Sequence, residues 1–154
     1  MRPTLNTGKT DPYEILKVRA QNALNIPYKS LLVKAPELFE NASNYYIVNY
    51  WPEEKYNLGH VPGAIQYTPK KSLSTSTDLY TLPTDKEIVI YCYTGQHAGF
   101  VVAFLKILGY DAKALAYGAN SFMNKEMKKR GKGWHAFTDK KIAGYDVVVE
   151  ELVE

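Results

Sequence analysis

The chain has 154 residues, 45% of them apolar and 23% charged, with a formal net charge of +3. Those values are ordinary for one soluble globular domain around a single core, and they argue against disorder along the whole length. One cysteine excludes an intramolecular disulfide, no run approaches the ~18 apolar residues of a membrane span, and a charge this small gives no case for nucleic acid.

Residues 1–10 are polar and aperiodic and read as a loose leader. Asp11-Pro12 has the form of an N-cap followed by proline at the first helical position, and Tyr13, Leu16, Ala20 and Ala23-Leu24 keep helical spacing up to Pro27. Leu31-Leu32-Val33 predicts a short strand and residues 36–41 a short helix. Tyr45-Tyr46-Ile47-Val48-Asn49 predicts a buried strand from its aromatic and β-branched content. Residues 51–63 read as loop with one helical turn, 64–67 as a short strand, and the Ser/Thr-rich stretch 70–85 as mostly surface connection.

Glu87-Ile88-Val89-Ile90-Tyr91 is the clearest strand. From His97 to Leu108 the residues Phe100, Val101, Phe104, Leu105 and Leu108 sit at helical spacing, and Gly109 ends that helix. Residues 112–117 predict another strand, followed by Gly118 and a basic helix to Arg130. The alternation predicts an α/β domain of three layers, a mostly parallel five-stranded sheet with helices on both faces. Tyr145 to Val149 read as an extra edge strand or as an arm packed on the outside. The expected division is 1–28 as leader and helix packed on the domain, 29–131 as the main domain, and 132–154 as a C-terminal extension.

Cys92 stands where the strongest strand gives way to a helix. Ligands of open α/β sheets bind beyond the carboxyl ends of the strands, and a helix start offers unpaired N–H groups and the positive end of its dipole. Both favour a negative sulfur. Gly95 allows the positive φ that turns successive amides into an anion nest. The same position also suits a small core residue, since free cysteine is often simply buried.

Two stretches then carry a resemblance. Gly59-His60-Val61-Pro62-Gly63-Ala64-Ile65 resembles the GH-[IV]-PGA motif of the rhodanese-like (sulfurtransferase) domain family. Tyr91-Cys92-Tyr93-Thr94-Gly95-Gln96-His97-Ala98 is similar to its active-site loop, CxxGxR followed by Ser, Thr or Ala. They occur in the family's order, and Leu115-Ala116-Tyr117-Gly118-Ala119-Asn120 falls where the family shows a strand ending in Gly-Gly. The likeness spans roughly residues 30 to 130. It implies a Cys92 thiolate that takes the outer sulfur of a small anion such as thiosulfate and passes it to a thiol, cyanide or an acceptor protein. Tyr93, Thr94, Gly95, Gln96, His97 and Ala98 would form the anion-binding loop, and no metal or organic cofactor is implied.

Three positions depart from the family's pattern. His97 stands in place of arginine, so the fixed cation becomes one that ordinarily titrates near pH ~6.5. Thiosulfate activity is then expected to rise as pH falls, until loss of thiolate reverses it. Asn49 and Trp51 stand where an Asp and an Arg are common, and Ala119 replaces the second glycine. By carry-over, His60 has a structural hydrogen-bonding role. The basic group Lys125, Lys128, Lys129, Arg130 and Lys132 reads as a solvated helix terminus. A silent binding or regulatory module of the same fold is the main rival reading. A cysteine phosphatase or arsenate reductase is remote, because the residue five intervening positions past Cys92, where those enzymes carry arginine, is Ala98. No apolar leader opens the sequence, so the expected compartment is cytoplasmic if the chain is whole, and the cell envelope or periplasm if an export signal was trimmed.

Overall fold

A computed structural model of the chain describes residues 2–141. Its five strands are β1 (Leu32–Val33), β2 (Tyr46–Asn49), β3 (Ile65–Gln66), β4 (Ile88–Tyr91) and β5 (Ala112–Leu115). They form one sheet in the order β1-β5-β4-β2-β3, and every pairing is parallel. Central β4 is buried at all four positions, as a continuous Ile-Val-Ile-Tyr run requires when both faces are covered.

The helices are α1 (Pro12–Leu24), α2 (Ala35–Glu40), α3 (Glu53–Tyr56), α4 (Gln96–Leu108) and α5 (Asn120–Arg130). Strand alternation sorts the core into two layers. Val48, Ile88, Ile90, Ala112 and Ala114 pack with Ala98, Val101, Val102 and Leu105 of α4. Ile47, Val89, Tyr91 and Leu115 pack with Leu38 of α2, Met127 of α5 and Trp134 on the opposite face. Cys92 continues the 88, 90 alternation onto the α4 side, whereas Tyr93 continues 89, 91 onto the other.

The start of α1 is as expected, since the Asp11 side chain accepts from the Glu14 amide at 3.0 Å. Gly109 ends α4 with φ 94°. Two local readings change. Phe100 and Phe104 do not belong to the buried stripe of α4; Phe100 is 78% exposed, because the face turned to the sheet is that of Ala98, Val101, Val102 and Leu105. The leader is not loose. Leu5 seats directly over Gly109, where a Cβ would come within 2.7 Å of its side chain, and the Arg2 guanidinium lies 4.5 Å from the Tyr80 ring centroid. The connection 70–85 is mostly surface, as expected, with Leu79 and Leu82 reaching into the core and Thr77 Oγ1 bonded within it to the carbonyls of Lys71 and Ser72. The proposed strand at Tyr145 to Val149 lies outside the described residues.

Candidate functional site

The loop from Cys92 to Gln96 joins β4 to α4 at the carboxyl end of the sheet. Gly95 adopts φ 92°, which an L residue reaches only with strain, and this turns its amide back onto the cysteine: Gly95 N–H donates to Cys92 Sγ at 3.2 Å. The first-turn amides of Gln96, His97 and Ala98 begin α4 and have no intrahelical acceptor to use. A negative sulfur here is therefore met by one N–H directly and by a helix start beside it.

The back of the loop is pinned to the turn between β5 and α5. Cys92 carbonyl accepts from the Ala119 amide at 2.8 Å, and Tyr93 carbonyl accepts from the Asn120 amide at 3.2 Å and from Asn120 Nδ2 at 2.7 Å. Gly118, at φ 55°, is the hinge of this contact. A Cβ there would collide with the Cys92 carbonyl and lie 2.7 Å from the Gly95 nitrogen. The sequence shows a single glycine in this turn because only one position is that close; the neighbouring Ala119 is fully buried without conflict.

Cys92 itself is 3% exposed. The sulfur thus lies beneath the loop and not on its lip. A groove of about 1260 Å³ runs along α4, β5 and the start of α2 and borders the loop at Thr94, Gly95 and Gln96, but Cys92 does not line it. Thr94 is half-buried, and Gln96 and His97 are exposed on the first turn of α4. Ala98 is fully buried in the core.

Asn49 and Trp51 are both fully buried. The register sets Asn49 beside Tyr91, and Asn49 Nδ2 donates to the Tyr91 hydroxyl at 2.8 Å while the Val61 amide donates to the same oxygen at 3.0 Å. A neutral amide-phenol bridge thus joins β2 to β4, and neither side chain buries a charge. Burial pushes the Tyr91 phenol up to about 12, against the opposing pull of the Asn49 and Val61 hydrogen bonds. The buried Oδ1 of Asn49 and Nε1 of Trp51 have no partner among the described residues. His60 stacks on Tyr56 with centroids 3.7 Å apart, and its Nδ1 lies 2.9 Å from the Tyr56 carbonyl, so its contacts belong to the Gly59–Gly63 turn region and not to the loop.

Aromatic rings hold Tyr93 from behind. It stacks on Trp51 at 4.8 Å and 15°, meets Trp134 edge-on at 6.1 Å, and touches His135 at 5.2 Å. Burial, then the Glu54 carboxylate and the Cys92 thiol, push its phenol up to about 12, so Tyr93 is a neutral wall at physiological pH. Nothing in the sequence alone marked Trp134 or His135, which lie forty residues along the chain from the loop, nor Asn120 as more than the end of a strand motif. Two of the five residues of the basic group have structural partners. Arg130 stacks over Trp134 at 4.6 Å and donates to the Leu58 carbonyl at 2.9 Å, and Lys129 pairs with Glu126 at 2.7 Å.

Among the described residues no three His, Cys, Asp or Glu side chains gather as a metal site would, and no helix is long and apolar enough to cross a membrane.

The profile of the Rhodanese-like domain family matches residues 34–125. A comparison with curated proteins gave no match. Among solved structures, a rhodanese-related protein from Thermoplasma volcanium is 22% identical, with a TM-score of 0.55 over 60% of this chain and 90% of its own. A protein from Lactobacillus plantarum is 23% identical, with a TM-score of 0.54 over 64% and 87%. A rhodanese-like domain protein from Staphylococcus aureus is 21% identical, with a TM-score of 0.52 over 59% and 89%. At these identities the likeness establishes the shared fold.

Proposed function

This chain belongs to the rhodanese-like domain family, and from that premise we propose that it is a sulfurtransferase or sulfane-sulfur carrier that works through a persulfide on Cys92. The observation that carries the reading is the pairing of the chain's one cysteine with the Gly95 amide, at the point where β4 meets the N-terminus of α4. The Cys92 thiolate attacks the outer sulfur of a donor such as thiosulfate. An Sγ–S bond forms, the donor's S–S bond breaks, and sulfite leaves with the electron pair. The negative persulfide is held by the Gly95 N–H and by the start of α4. A thiol or cyanide-like acceptor then attacks the terminal sulfur and restores the thiolate. Tyr93, Thr94, Gln96, His97 and Ala98 serve as the rest of the loop, with Asn49 and Trp51 shaping its surroundings and His60 in a structural role against Tyr56. The main domain is assigned to 29–131, with 1–28 and 132–154 as flanking additions.

His97 stands where the family's loop carries arginine and is exposed on the first turn of α4, so its side chain is read as the partner of an anionic donor. A fixed charge at that position, His97→Arg, should raise turnover above neutral pH by about tenfold, an effect of about 1.4 kcal/mol. A His97→Ala variant with wild-type thiosulfate turnover would remove this role.

A second reading, a silent module that binds without transferring sulfur, is favoured by the 3% exposure of Cys92 and by the neutral Asn49–Tyr91 bridge. Mass spectrometry after incubation with thiosulfate or polysulfide decides between them. A gain of one sulfur on the wild type, absent from Cys92→Ser, supports transfer; no gain with any donor supports the module. Phosphoryl chemistry is disfavoured because Ala98, fully buried, stands where that class needs a cation.

A further inference from the structure

The Asn120 side chain has every hydrogen-bonding valence occupied, and its partners come from two segments far apart in sequence. Its Nδ2 donates to the Tyr93 carbonyl at 2.7 Å and to the His135 carbonyl at 3.3 Å. Its Oδ1 accepts from the Phe137 amide and from Asn124 Nδ2, each at 2.7 Å. An amide has two N–H donors and two oxygen lone pairs, and all four are used. Asn124 Nδ2 also reaches the Phe137 carbonyl at 3.3 Å.

The joined segments are the Cys92 loop and the turn at 131–137, which lies beyond the family's matched region of 34–125. That turn is held firmly. Trp134 is 2% exposed, takes Lys55 and Arg130 over its ring at 4.9 and 4.6 Å, and packs against Trp51 as well as Tyr93. His135 sits at φ 52°, in the left-handed region that histidine, like asparagine and aspartate, enters more often than other side chains. The carbonyl bond to Asn120 and the ring contact to Tyr93 hold it there.

The consequence for the sulfur follows from peptide geometry. In a trans peptide the C=O and N–H point opposite ways. Pinning the Cys92 carbonyl to Ala119 and the Tyr93 carbonyl to Asn120 turns the N–H groups of Tyr93 and Thr94 away from the β5–α5 turn, and it fixes the approach of the chain to Gly95, whose N–H bonds Sγ. We propose that Asn120 is a positioning residue for Cys92, acting through the Tyr93 carbonyl, and that the turn at 131–137 is the buttress against which it holds the loop. The proposal deepens the sulfur-transfer reading and rests on it for its catalytic consequence.

The test uses the full chain and a readout that does not presuppose sulfur transfer. The rate of Cys92 alkylation by iodoacetamide is measured against pH in the wild type, in Asn120→Ala and in Trp134→Phe, with thermal midpoints taken alongside. Released amides should support the thiolate less well, so the midpoint of the alkylation profile moves to higher pH in Asn120→Ala and, by a smaller amount, in Trp134→Phe. Single-turnover persulfide formation at saturating polysulfide should fall about tenfold in Asn120→Ala, less than the loss of a direct oxyanion donor. Both tryptophans of the chain, Trp51 and Trp134, pack on Tyr93, so the emission maximum of Asn120→Ala should shift as well. Folded variants with wild-type alkylation profiles and wild-type emission overturn the proposal. A wild type that gains no sulfur defeats the transfer reading and leaves the alkylation comparison standing. If Asn120→Ala does not fold, the Trp134→Phe profile decides.

Discussion

Gly118 is where the chemistry of the loop becomes a demand on one backbone atom. The β5–α5 turn approaches the Cys92 loop so closely that a methyl group would strike the Cys92 carbonyl and crowd the Gly95 nitrogen. Left-handed backbone adds its own cost for alanine, ~1–2 kcal/mol, and overpacking another ~1–3. Gly118→Ala is therefore expected to lose about 2–5 kcal/mol in denaturant unfolding and to slow Cys92 alkylation and persulfidation together. A Gly118→Ala protein of wild-type stability would mean that the turn is free to move. Cys92 and Gly95 were legible from their residue types and spacing. The role of Gly118 was suggested only by its place after a strand, because what a glycine avoids is another segment's atoms, and these are not written beside it.

Helix α4 carries the loop, and its docking sets how firmly the Gly95 amide faces the sulfur. Periodicity gives Phe100, Val101, Phe104, Leu105 and Leu108 equal standing, but the sheet selects a different stripe. Leu105 is fully buried, whereas Phe100 is 78% exposed and lies along the groove beside the loop. Leu105→Ala should cost about 2–5 kcal/mol by leaving a cavity, and Phe100→Ala should stay within about 0.5 kcal/mol. Paired chemical-denaturation curves check this, and equal losses would contradict the helix's orientation. A hydrophobic period marks a helix well but not its rotation, since small residues such as Ala98 also face the core and large ones can be left outside. The N-cap of α1 was legible for the opposite reason: Asp11 and Glu14 interact within one turn.

Across the molecule, burial holds several phenols neutral, Tyr91 and Tyr93 at the carboxyl end of β4 and Tyr46 at the start of β2. Tyr91 and Tyr93 are raised to about 12, and Tyr46 is raised as well, by burial first and then by its hydrogen bond with Tyr67. In the unfolded chain these groups ionise near pH ~10. Their folded values lie higher, so the stabilisation is fully present below about pH 10 and is lost as pH climbs from about 10 toward about 12. Thermal midpoints should be flat between pH 8 and about 10 and fall steeply beyond, while phenolate absorbance shows a late-titrating class. Tyr91→Phe should remove part of that late class. A single transition near pH 10 for all tyrosines would show the buried phenols to be solvated. This layer was only partly legible: thirteen tyrosines were evident, but which of them face inward depends on strand register.

Local order along the chain was enough to determine the parallel α/β plan, the strand-to-helix cysteine with its glycine, and the family resemblance, because each is a matter of neighbouring residues obeying a short period or a fixed spacing. Tertiary structure alone decided that the thiol lies under its loop, that a neutral Asn49–Tyr91 bridge joins β2 to β4, and that Asn120 ties the loop to the turn carrying Trp134 and His135. Those contacts join residues far apart in sequence. Their geometry follows from how the sheet and helices pack, which no window of the sequence contains.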